Sequence, residues 1–165
     1  MNDTAQKTQV NEVITTEELL QHWQGHRNLT RRVIEAFPED AFFNHRIGGM
    51  RTFAEMTLEL LAIAGPGIQE IATGQNNEFK EDIEHGNSKA VLLQHWDETT
   101  EVLNKYWAEI PASRFHDPIK AFGQYEGTVI SSILYFIDNE IHHRGQGYVY
   151  LRSLGVEPPA FWDRP

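Results

Sequence analysis

The chain has 165 residues, 40% hydrophobic and 23% charged, which is ordinary globular composition and enough chain to bury a core without staples. It contains no cysteine, and this excludes disulfides, thiolate metal sites and a cysteine nucleophile. A formal net charge of -10 sets the surface against phosphate backbones and anionic lipid heads, so neither nucleic acid nor a membrane is an expected partner.

Residues 1–14 are polar and lack the apolar centre of a signal peptide, so they read as a frayed lead-in. No apolar run approaches the ~20 residues that a membrane-spanning helix needs, and a cytoplasmic location is the expectation. With no internal repeat and no dividing linker, residues 1–165 read as a single domain.

The first helix is predicted over Thr16 to Phe37. Thr15 and Glu18 have the spacing of a capping box, and Leu19, Trp23, Thr30, Val33 and Phe37 recur at helical intervals. Pro38 stops it. Arg27, Arg31 and Arg32 read as one exposed, charged face. His22 and His26 form an i, i+4 pair, with His26 bordering the core and His22 exposed. Residues 39–50 read as a loop, with a turn at Gly48-Gly49.

A second helix is expected from Arg51 to Ala72, with Phe53, Met56, Leu60, Ile63 and Ile71 inward, a kink or break at Gly65-Pro66-Gly67, and an end at Gly74. After a polar connection, Ser88 is placed to cap a third helix from Lys89 to Ile110, stopped by Pro111. The link 112–127 is long, and Phe115, Phe122 and Tyr125 suggest that it packs across the bundle. The fourth helix runs from Thr128 to Leu154, with Gly155 and Pro158-Pro159 ending it. The fold class is therefore all-α: a four-helix bundle with a long crossover-type link before the last helix.

Candidate chemistry concentrates between Asp138 and Gln146, where polar side chains interrupt an otherwise apolar helix. Such groups cost several kcal/mol on a core-facing stripe unless they are paired or bound. Asn139 and His143 are four residues apart and share a face. His142 points about 100° away from His143, toward the surface or the periphery of a site. Gly145 and Gly147 leave room for a neighbouring helix. Glu140 and His143 make one Glu-x-x-His motif, and a di-iron site would need a second one, which the other helices lack.

The run Glu140-Ile141-His142-His143-Arg144-Gly145-Gln146 resembles the last helix of the DinB-like (YfiT-like) damage-inducible family. Tyr150-Leu151-Arg152, Gly155-Val156-Glu157-Pro158-Pro159 and, upstream, Arg51-Thr52-Phe53-Ala54-Glu55 extend the likeness. The resemblance implies a four-helix bundle, a homodimer, and a divalent metal (zinc, nickel or iron) held by three histidines, one from the second helix and two from the last. Carried onto this chain, those positions fall on Glu59, Asn139 and His143, and only His143 keeps the family residue. Glutamate is a sound ligand, but asparagine is a weak neutral donor. The expectation is metal binding much weaker than in relatives, or none.

Two functional readings stand open at this point. One is a metal-dependent enzyme of thiol-transferase or hydrolase type acting on a small molecule, with Glu140 and His142 as the nearest acid–base groups. The other is a non-catalytic dimeric bundle, in which Glu59, Asn139 and His143 form a buried polar network. A DNA-associated role, suggested only by the family name, runs against the acidic balance.

Overall fold

The computed structural model describes residues 13–165. Most of the expected lead-in, residues 1–12, lies outside that range. The first helix, α1 (Thr16–Ala36), opens on the anticipated capping box: the Glu18 N–H donates to Thr15 Oγ1 at 3.1 Å, and the Thr15 N–H donates to Glu18 Oε2 at 2.8 Å. Beyond Pro38 the chain forms a short helix, α2 (Glu39–Asn44), where a loop is expected from the sequence. Glu39 and Asp40 sit in its first turn, favourable to the helix dipole, and Phe42 anchors it in the core.

Helix α3 (Phe53–Thr73) is capped by Thr52 with Glu55 and ended by Gly74, whose φ of 72° suits a left-handed cap. Of the kink or break expected at Gly65-Pro66-Gly67, the break does not occur: the helix continues through Pro66. The flanking glycines serve packing instead: a Cβ on Gly67 would lie 2.7 Å from the Phe136 ring. Helix α4 (Lys89–Trp107) begins at the Ser88 cap and ends before the expected Ile110.

The long link is not simple coil. A 3-10 turn (Ala112–Arg114) leads into an antiparallel hairpin of β1 (Pro118–Ala121) and β2 (Tyr125–Thr128), with Pro118 opposite Thr128 and Ala121 opposite Tyr125. Thr128 then caps α5 (Val129–Ser153), which Gly155 closes at φ 73°. Among the described residues the other regular elements are all helices.

Helix α1 packs on α4 and α5, and α3 also packs on α4 and α5. Helix α5 therefore has α1 on one flank and α3 on the other. The core is in two parts. One surrounds Trp23, Ile68, Trp107, Phe122 and Phe136. The other surrounds Phe37, Phe53, Trp96, Tyr150 and Leu151. Between them lies a belt of buried polar side chains that includes Arg27, Thr30, Asn139, Glu140 and His143.

Candidate functional site

Asn139 and Glu140 are neighbours on a helix, so their side chains diverge by about 100°. With a different helix on each flank of α5, one residue serves each side.

Glu140 turns toward α1. Its carboxylate accepts the Trp23 indole N–H at 3.2 Å and the Thr30 hydroxyl at 2.7 Å. Arg27 and Arg144 stand 3.8 and 3.9 Å away. Arg27 is fully buried, not on an exposed face as its charge suggests. Its guanidinium lies 4.0 Å from the Trp96 ring centroid and donates to Thr100 Oγ1 at 2.8 Å and to the Trp96 carbonyl at 3.1 Å. Arg31 and Arg32 do lie partly exposed, paired with Asp97 and Asp163. His26 is buried beside this cluster, with Nδ1 2.8 Å from Arg144, and His22 is exposed, as the spacing suggests. Burial, Arg144, His22 and Arg164 together hold His26 down at about 3, well below its ordinary value. Glu140 and His143 face opposite neighbours, so the single Glu-x-x-His motif does not converge on one point.

Asn139 and His143 turn toward α3 and meet Glu59. Asn139 Nδ2 donates to Glu59 Oε1 at 3.1 Å, and His143 Nε2 is 3.2 Å from the same oxygen. The three expected positions are thus brought together. A fourth member joins them. Arg51, just before α3, donates to Glu59 Oε2 and lies 3.5 Å from His143 Nε2. Its other terminal nitrogen is 3.6 Å from Glu81. Gln146 completes the set, with Oε1 3.1 Å from His143 Nδ1 and its amide nitrogen 3.3 Å from the exposed His142. Burial pushes the Glu59 carboxyl up, but hydrogen bonds from Arg51, Asn139 and His143 outweigh it and hold it below the usual carboxylate range.

The donor set does not suit a divalent metal. It offers one imidazole and one carboxylate, and the third position is a neutral amide. The guanidinium of Arg51 already holds a positive charge against the carboxylate that would have to bind the ion. Among the described residues, no three His, Asp or Glu side chains form a metal-binding group.

Glu59 also borders a cavity of about 300 Å³ between α3, the hairpin and α5. Ile63, Phe122 and Phe136 wall it, Ser132 adds a hydroxyl, and Phe79, Tyr125 and Tyr135 stand exposed around it. Phe122 is held in place at a cost. Its φ of 51° is uncommon for a bulky residue, and its N–H donates to the buried Glu70 Oε1 at 2.7 Å. Sequence reading anticipates Glu59, Asn139 and His143, but not Arg51, Glu81 or this cavity. The arginine opens a motif already noted, yet nothing in its identity marks it as inward-facing. The cavity depends on a hairpin without an alternating apolar pattern.

A helical bundle with a polar constellation at mid-height, shared between α3 and the last helix, defines the class. Residues 1–163 match the DinB family, and the chain belongs to it. The uncharacterized protein YjoA of Bacillus subtilis (strain 168) is 24% identical over 149 residues, 89% of this chain and 96% of that protein. The crystal structure of YjoA superposes with a TM-score of 0.70 at 18% identity, covering 89% of this chain and 99% of that one. A DinB-like protein from Bacillus cereus ATCC 10987 gives 0.67 at 17% identity, covering 87% and 95%. At these identities the two structures establish the fold alone.

Proposed function

We propose that this DinB-family protein binds a small molecule in the cavity beside Glu59, and does so without a divalent metal. The observation that carries the reading is the position of Arg51, whose guanidinium pairs with Glu59 beside His143, where a metal would need that carboxylate. A fixed organic cation replaces an exchangeable one. It holds Glu59 at the edge of a mostly apolar cavity, with Asn139 and His143 bonded to the same carboxylate outside the lining. Such a cavity is the usual form of a small-molecule site.

The test is elemental analysis of protein purified without chelator, followed by titration with zinc, nickel and iron(II). The expected result is far less than one metal per chain and no tight binding. Stoichiometric metal that disappears with His143→Ala would instead support the metal-dependent enzyme. As a counterpart, Glu59→His with Asn139→His in an Arg51→Ala background should raise zinc affinity by orders of magnitude, because it supplies three imidazoles and removes the competing charge.

Two further expectations belong to the same proposal. One is a cytoplasmic location, to be tested by cell fractionation; what the structure shows is that among the described residues no helix is long and apolar enough to cross a membrane. We also infer a homodimer through the outer face of α5. Leu134, Ile141 and Val149 are exposed there, and Gly145 opens onto empty space, leaving room for a second helix. A light-scattering mass of one 19.0 kDa chain would overturn that inference.

A further inference from the structure

We propose that the cavity selects an organic cation: an amine or quaternary ammonium carrying an apolar or aromatic body. This rests on the preceding reading that the cavity binds a small molecule, and it names the ligand's charge.

The first observation is the charge of the lining. Glu59 and Glu126 both border the cavity, and among the described residues no lysine, arginine or histidine does. Arg51 lies behind Glu59 and is shared with Glu81, and Lys120 stands opposite Glu126 on the hairpin outside the lining, so three carboxylates stand against two cations in this region. An anionic ligand would meet unfavourable potential at each of these acids, whereas a cation is attracted to the excess.

The second observation is independent of the acids. The walls and mouth are unusually rich in aromatic rings. Phe122 lies edge-on to Phe79 with ring centroids 6.1 Å apart and tilted against Phe136 at 6.2 Å, while Tyr125 and Tyr135 border the same space. Ring faces carry negative electrostatic potential and attract ammonium groups, most strongly where water is partly excluded. The hairpin spends backbone strain at Phe122 to put one of these rings there, and the buried Glu70 holds that residue by its N–H. Apolar walls accept the body of the ligand, and rings together with carboxylates accept its charge.

The experiment compares three probes of similar size on the full-length protein: benzyltrimethylammonium, neutral benzyl alcohol and benzoate. Binding is followed by NMR chemical-shift changes and by calorimetry. The expected order is cation first, at least tenfold tighter than the alcohol, with benzoate weakest. Glu126→Gln should weaken the cation several-fold and leave the alcohol unchanged. Tyr135→Ala, at an exposed position, should weaken the cation while preserving the fold. Equal or tighter binding of the alcohol or of benzoate would overturn the charge assignment and leave the small-molecule cavity intact. If no probe perturbs the resonances of Phe122, Tyr135 or Phe136 at millimolar concentration, the cavity reading falls with it.

Discussion

The two flanks of α5 are built from the same kinds of side chain and are used differently. On the α1 flank, Glu140 is closed in by Trp23, Thr30, Arg27 and Arg144, and it is 1% exposed. On the α3 flank, Glu59 joins Asn139, His143 and Arg51 but keeps 16% of its side chain exposed and borders a cavity. Burial decides the role of a charge network. A closed one fixes how two helices sit together, and an open one can also meet a ligand.

Deleting each carboxylate or its partner should separate the flanks most clearly. Glu140→Ala leaves Arg27 and Arg144 buried without their counter-charge and should cost about 3–5 kcal/mol. His143→Ala, beside a partly solvated carboxylate still held by Arg51, should cost only about 1 kcal/mol. Urea denaturation of both variants measures the difference, and equal losses would erase the distinction.

Acid should find the closed flank first. His26 titrates at about 3 in the folded protein against 6.5 ordinarily, so between these values the unfolded chain holds a proton that the folded one lacks. Stability contributed by the neutral imidazole is therefore intact above pH 6.5 and is lost as the pH falls, by up to about 1.4 kcal/mol per pH unit. Glu59 is also lowered, so its contribution is present above its ordinary 4.5 and declines only below it. Thermal melts from pH 7 to 4 should show an early loss that His26→Gln removes. A profile unchanged by that substitution would mean that the imidazole is not held neutral.

A smaller contrast comes from two glycines on α5. A Cβ on Gly147 would lie 2.6 Å from the Phe53 ring, so Gly147→Ala should destabilise by about 1–3 kcal/mol. Within one chain nothing lies within 4 Å of a Cβ on Gly145, so Gly145→Ala should favour the isolated helix by about 0.5–1 kcal/mol. In the proposed dimer the same methyl meets the second helix, so the variant should dissociate at lower dilution than the parent; unchanged association would place the interface on another face.

Much of this architecture could be read before any coordinates. The starts of α1 and α4 are legible because Thr15 and Ser88 carry local capping chemistry that does not depend on the rest of the fold. Pro38 and Gly74 act just as locally. The hairpin was not legible. Pro118–Ala121 and Tyr125–Thr128 are short, and their alternation is too weak to register as strands. Charge alone points Arg27 outward, yet it lies four residues from Trp23 and three from Thr30, both on the buried stripe. Helical spacing puts Glu140 on the face of His143, as an acid–base group for the same site, and packing corrects this: Glu140 is bonded to Trp23 and Thr30 of α1 and cannot serve the Glu59 side. Periodicity gives the angle between residues 139 and 140, but not which helix stands on which side. Only packing supplies that, and it separates the carboxylate facing α1 from the imidazole facing α3.

The hairpin closes one side of the cavity with residues of two kinds: Ala121 and Phe122 are buried in the core, whereas Tyr125 and Glu126 are exposed at the rim. Substitutions at Tyr125 and Glu126 should therefore reshape the mouth of the cavity at little cost to folding. A scaffold divided in this way can diversify its specificity quickly, one surface loop at a time, while its supporting architecture stays the same.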